Sequence, residues 1–121
     1  MKLITAIIDP EVLDVVRDAL RDAGVEGLTI TAAQGSGRRG GEVKIYRGSE
    51  YVDDLRGGAR VELVVGSREQ AELVVNVMAV ATRQAGSDFG KVWVGDVDWV
   101  VSLRTGEMNL DALGSGSQPR S

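Results

Sequence analysis

Leu3-Ile4-Thr5-Ala6-Ile7-Ile8-Asp9-Pro10 decides the fold. Leu3 to Ile8 is a short, nearly continuous apolar run, the pattern of a buried strand. Asp9 suits a helix N-cap, and Pro10 suits the first helical position, where its missing N–H has no intrahelical partner. Val12, Val15, Val16, Ala19, Leu20 and Ala23 follow at helical spacing, and Gly24 stops the helix. Leu28 to Ala33 reads as a second strand. The same order then returns. Ala59 to Val65 reads as a strand with Val61, Leu63 and Val65 on one face and Arg60, Glu62 and Val64 on the other. Ser67 and Gln70 have capping-box spacing, and Ala71, Val74, Val75, Met78 and Ala81 mark a helix that ends near Gly86. Val92 to Val97 is a fourth strand, and Trp99 to Leu103 is expected to add a short edge strand. A doubled β-α-β unit is the α+β, ferredoxin-like arrangement. Two helices on one face leave the other face of the sheet uncovered, so the subunit is expected to self-associate.

Composition narrows the chemistry. A chain of 121 residues is one domain by length. That domain is expected over residues 1–113, with the Gly- and Ser-rich stretch 114–121 as a disordered tail. The net charge of -4 argues against a nucleic-acid binder, which usually carries a basic surface. No apolar run has the length of a membrane span and no signal-peptide pattern is visible, so the expected compartment is the cytoplasm without membrane insertion. The chain has no Cys, which removes disulfides and thiolate chemistry, and no His, which removes the usual general base near neutral pH. With no metal-ligand cluster evident, a slow ATPase is the weakest reading; phosphoryl transfer needs a placed metal and a positioned water. Asp88 is the nearest carboxylate for such a role and is better read as a turn cap. Trp93 and Trp99 are read as core or subunit-interface residues rather than a ligand-stacking pair.

The segment between the second and third strands is long for a small domain, and such loops are usually functional. It opens with Gly35-Ser36-Gly37-Arg38-Arg39-Gly40-Gly41, whose glycines allow backbone N–H groups to approach an anion and whose arginines supply charge. Without a Walker pattern or a following helix, a flexible basic turn is the better reading of this stretch taken alone. Val43 and Ile45 alternate with polar residues, so the arms of the loop are expected to pair as a short hairpin. Gly86-Ser87-Asp88-Phe89-Gly90-Lys91 is a second small-residue segment with a cation, and Arg104 is a third basic position. These positions meet on one polyanion only if the fold, or a neighbouring copy, brings them together.

Several stretches carry a family resemblance. They are Met1 to Ile8, Gly27-Leu28-Thr29-Ile30-Thr31, Gly35-Ser36-Gly37-Arg38, Tyr46-Arg47-Gly48-Ser49-Glu50-Tyr51, Gly90-Lys91-Val92 and Arg104-Thr105-Gly106-Glu107. Over residues 1–113 the chain resembles the PII nitrogen-signalling family. The resemblance implies a homotrimer that binds ATP or ADP in clefts between subunits. It implies a T-loop, about residues 37–55, that docks on a transporter or metabolic enzyme of nitrogen metabolism. Thr29, Glu62 and Val64 are implied around the adenine. Gly35, Gly37 and Arg38 are implied on one side of the phosphates, and Gly90, Lys91 and Arg104 on the other. Tyr51 matches the tyrosine that relatives uridylylate or adenylylate.

The chain also departs from the family pattern. The lysine after the first strand is Asp9, and the glutamine of the magnesium and 2-oxoglutarate site is Arg39. The lysine beyond the loop is Gly58, and one of the paired C-terminal arginines is Ser102. The family's Thr-Gly-Lys-Ile-Gly-Asp-Gly-Lys has become Arg83 to Lys91, one residue longer. Each lost cation removes a charge-assisted contact of roughly 1.5 to 3 kcal/mol. Arg39 has no acceptor with which to coordinate magnesium. The expectation is a divergent PII-like regulator that needs no cofactor, takes ATP, ADP or AMP as ligand, and has weakened or lost 2-oxoglutarate and magnesium dependence. The alternative is a PII-like adaptor that answers to another small anion, such as bicarbonate.

Overall fold

The computed structural model describes residues 1–25, 27–33, 42–46, 49–53 and 57–114. Strand β1 (Lys2–Ile8) runs into Asp9, whose carboxylate accepts a hydrogen bond from the Glu11 N–H at 3.0 Å. The cap starts a single 3-10 turn, Pro10–Val12, before helix α1 (Leu13–Asp22). Gly24, with φ 93°, ends that helix in the left-handed region that a side chain disfavours. Then come β2 (Thr29–Ala33), β3 (Glu42–Tyr46), β4 (Ser49–Asp53), β5 (Gly58–Val65), α2 (Arg68–Gln84), β6 (Gly90–Asp96) and the short α3 (Leu110–Leu113). The Ser67 hydroxyl accepts from the Gln70 N–H at 3.2 Å, as the capping box predicts. The Gln70 side chain reaches back one residue further than the motif requires and accepts from the Gly66 N–H at 2.8 Å.

The main sheet has the order β2-β5-β1-β6. β1 is antiparallel to both β5 and β6, and β2 is antiparallel to β5. Each β-α-β half therefore brackets a strand of the other half, which is the ferredoxin-like arrangement read from the sequence. β3 and β4 pair separately as the hairpin expected within the long loop, with Val43 opposite Val52.

One sheet face and the two helices share the core. Ile4, Ala6, Ile8, Val61, Leu63 and Val65 meet Val16 and Leu20 of α1 and Ala71, Val74, Met78 and Ala81 of α2. Ile4, Val16 and Leu20 are fully buried. Each side chain of this size stabilises the fold by roughly 1.5–3 kcal/mol on burial. Among the described residues no helix packs against the opposite face. It carries Thr29, Thr31, Arg60, Lys91 and Trp93 exposed, with Leu3, Ile7 and Val64 half-buried.

The C-terminal segment corrects one expectation. Trp99 to Leu103 adds no strand to the sheet. Val101 instead forms one isolated bridge to Met108, and the chain between them turns back on itself. The Ser102 N–H donates to the Glu107 carbonyl at 2.9 Å, and Gly106 takes φ 77°. Within this excursion Val100 and Ser102 pair with Asn109 and Glu107 of the same segment rather than with the sheet. Of the two readings of the tryptophans, core of the subunit does not hold, with Trp93 49% and Trp99 64% exposed in the single chain, and the subunit-interface reading stands as a proposal. Gly114 closes α3, and the rest of the expected tail lies outside the described residues.

Candidate functional site

Strand register lines up the open face in rows. Thr29, Glu62, Thr5 and Trp93 lie side by side across the four strands, and Thr31, Arg60, Ile7 and Lys91 form the next row. Glu62 is held from two sides. Its carboxylate accepts from the Thr5 hydroxyl at 3.2 Å and pairs with the Arg60 guanidinium at 3.4 Å. A groove of about 400 Å³ opens beside it, walled by Leu3, Leu28 and Val64 and edged by Gly27, Thr29 and Glu62. Apolar walls with one hydroxyl and one carboxylate suit a flat ring that carries hydrogen-bond donors. The structure thus gathers Thr29, Glu62 and Val64, which come from two non-consecutive strands.

The other described site residues lie elsewhere. Gly90 starts β6 with φ 134°, and a Cβ there would stand 2.8 Å from the Ile7 carbonyl oxygen. Only glycine allows β6 to enter its pairing with β1 so closely. Lys91 is exposed and lines a depression of about 310 Å³ beneath α2, together with Ile8, Met78, Thr82, Ser87 and Phe89. This depression and the groove at Glu62 share no residue. Between β2 and β6 stand β5 and β1, so three inter-strand steps separate Thr29 from Lys91, roughly 14 Å.

Arg104 sits in the exposed turn of the C-terminal excursion. There the Ser102 hydroxyl accepts from the Thr105 N–H at 3.4 Å and the Thr105 hydroxyl from the Glu107 N–H at 3.1 Å. Leu103 beside it is fully exposed. Gly35, Gly37, Arg38 and Arg39 lie outside the described residues. Tyr51 lies on β4, opposite Lys44. Among the described residues no group of three acidic, His or Cys residues stands together as a metal site would require.

The turn before β6 differs from its sequence reading. Ser87 closes it, not Asp88: the Ser87 oxygen accepts from the Phe89 N–H at 3.2 Å and lies 3.3 Å from the Phe89 carbonyl. The same hydroxyl stands 3.4 Å from the Asp9 carboxylate, 78 residues away in sequence. Asp9 itself is 8% exposed. Neither this contact nor the Thr5 and Arg60 clamp on Glu62 was read from the sequence. The only signal was alternation along β1 and β5, which sets the face but not the register.

Residues 1–107 match the family described as nitrogen regulatory protein P-II. The chain belongs to the P-II family. It is 42% identical over 113 residues to the nitrogen regulatory protein P-II of Rhizobium meliloti (strain 1021), covering 93% of this chain and all of that protein. It is 40% identical to the protein of the same name from Mesorhizobium japonicum and 41% identical to that from Pasteurella multocida, with the same coverage. Signal transduction in nitrogen regulation is the functional class of this P-II chain.

Three of the positions expected to depart from the family pattern are structurally defined in this P-II chain. Asp9 caps a helix and faces Ser87 of the lengthened turn. Gly58 is buried where β5 begins, paired with Ala33. Ser102 holds the turn that carries Arg104. No helix among the described residues is long and apolar enough to cross a membrane.

Proposed function

We propose that this P-II protein is an adenine-nucleotide-responsive regulator whose sites form between copies of the chain. Its adenine side is the groove at Thr29, Glu62 and Val64. Its phosphate side is Lys91 and Arg104 on one hand and Gly35, Gly37 and Arg38 on the other. One observation carries the reading: the groove at Thr29, Glu62 and Val64 lies on the β2 and β5 side of the sheet, whereas Lys91 lies on β6 at the opposite edge. Head-to-tail packing of identical subunits brings opposite edges together, and a ring that closes does so without leaving either half exposed. In this reading the assembly is a cytoplasmic homotrimer without enzymatic activity. Residues 37–55 serve as the T-loop that controls a transporter or metabolic enzyme, and Tyr51 is open to modification. With Asp9, Gly58 and Arg39 in place of the family's residues, 2-oxoglutarate and magnesium contribute little.

Isothermal titration tests this. ATP, ADP or AMP is expected to bind at up to one site per chain, and 2-oxoglutarate to leave the ATP affinity nearly unchanged with magnesium present. Strong synergy between ATP and 2-oxoglutarate would contradict the reading. The Asp9 to Ser87 contact keeps a second reading alive, an adaptor for a smaller anion such as bicarbonate. A rise in melting temperature with bicarbonate and none with any adenine nucleotide selects it.

A further inference from the structure

Asp9 and the lengthened turn at Ser87 look like two separate changes in the sequence, yet they touch in the fold. Ile8 pairs with Gly90 and Ile7 with Lys91. Continuing that register puts Asp9 beside Phe89, two residues from Lys91. Diagonal neighbours across an antiparallel pair stand roughly 7–8 Å apart. Asp9 is more than nine-tenths buried, so its carboxylate keeps a fixed place. Its carboxylate is held on one side by the Glu11 N–H at 3.0 Å and on the other by the Ser87 hydroxyl. The Asp9 carboxylate thus stands on the register diagonal from Lys91, the cation of β6.

We propose that Asp9, positioned by Ser87, sets the phosphate-chain preference of the Lys91 site, which rests on the nucleotide reading above. The carboxylate offsets part of the Lys91 charge, and it repels a ligand in proportion to the number of phosphates. ATP carries roughly two more negative charges than AMP. At about 10 Å in a largely aqueous site, removing one opposing charge raises the ATP to AMP affinity ratio roughly three- to tenfold. Asp9 acts as a positioning and selectivity residue and makes no contact with the adenine. Ser87 keeps the charge where it acts.

The test is titration of ATP, ADP and AMP, without magnesium and at matched ionic strength, into the full chain and its variants. Asp9→Asn keeps the cap acceptor and removes the charge; Asp9→Ser does the same with a shorter side chain and serves if the first variant does not fold. The expected result is a three- to tenfold rise in the ATP to AMP ratio in either variant, with ADP between. Ser87→Ala, which loosens the Asp9 carboxylate, is expected to raise the ATP to AMP ratio in the same direction by a smaller factor. An unchanged ratio in a folded Asp9 variant overturns the proposal, as does an equal loss for all three nucleotides. If the unaltered protein binds none of them, the nucleotide reading itself fails and the selectivity role falls with it.

Discussion

Two defective chains should repair each other if each binding site is shared between copies. Lys91→Met removes the described cation at the β6 edge. A well-formed charge-assisted contact contributes roughly 1.5–3 kcal/mol, so the variant should bind ATP about 10- to 150-fold more weakly. Val64→Trp fills the groove of about 400 Å³ at the other edge from a half-buried position on β5. Strands accept aromatic residues readily, so this block leaves the backbone undisturbed. Each variant alone keeps one intact edge and one broken edge, and every site in its assembly contains one broken half.

Mixing changes the arithmetic. In an equimolar, randomly assembled mixture, a site is intact when the chain supplying Lys91 is the Val64→Trp variant and its neighbour is the Lys91→Met variant. Each condition holds half the time, so about one quarter of the sites regain full affinity, whatever the size of the ring. The two chains are co-expressed or refolded together, and the stoichiometry of tight ATP binding is read by titration. Circular dichroism and melting curves establish that both variants are folded. Recovery near one quarter fits a shared site. No tight sites in the mixture, with normal binding by the unaltered protein, refutes it, because a site contained in one chain stays broken in both.

Two smaller predictions test the frame around the site. Gly90→Ala places a Cβ 2.8 Å from the Ile7 carbonyl oxygen at φ 134°, and the main chain has no flexible end to yield, so stability should fall by about 1–3 kcal/mol in a denaturant titration. The Lys2 ammonium donates a hydrogen bond to Asp96 and, with its charge, holds that carboxyl below its ordinary pKa. A depressed folded-state pKa stabilises above the unfolded value, and that contribution is lost as pH falls through the folded value. Lys2→Met should therefore raise the Asp96 midpoint in an NMR titration. Because Asp96 is exposed, melting at neutral pH should scarcely change.

Local chemistry made most of the fold legible. The Asp9 and Ser67 caps, the stops at Gly24 and Gly86, and the alternation along Ala59 to Val65 each depend on residues within a few positions of one another. Where the reading failed, a distant partner decided. Trp99 to Leu103 has a strand-like composition, but the hydrogen bonds from Ser102 to Glu107 and from Asn109 to Val100 fold it back on its own neighbours. Asp88 is a good turn residue, yet Ser87 takes the position because its hydroxyl can serve both Phe89 and Asp9. The site divided in the same way. That Thr29, Glu62 and Val64 belong together was implied by resemblance, and the fold sets them beside one groove, while the clamp of Thr5 and Arg60 on Glu62 required the register of β1 against β5.

The open face bears on whether head-to-tail packing closes. Repeated contact between opposite edges generates either a ring or a filament, depending on the rotation between copies. A filament would leave the open face of every subunit in water. That face presents Trp93 at 49% exposure beside half-buried Leu3, Ile7 and Val64. It also holds polar groups that are already satisfied within the chain, since Glu62 is engaged by Thr5 and Arg60. The apolar side chains favour burial, the Glu62 pair stays hydrogen-bonded when the face is covered, and Lys91 requires an anionic partner there. A closed ring with its sheets turned inward covers this face, and it joins the Thr29 edge of one copy to the Lys91 edge of the next. The same packing therefore buries Trp93 and completes the proposed site. In a Trp99→Phe background, quenching of Trp93 fluorescence by a soluble quencher should rise together with the loss of nucleotide sites when the ring is dissociated; quenching that is already full in the assembled protein would break the link.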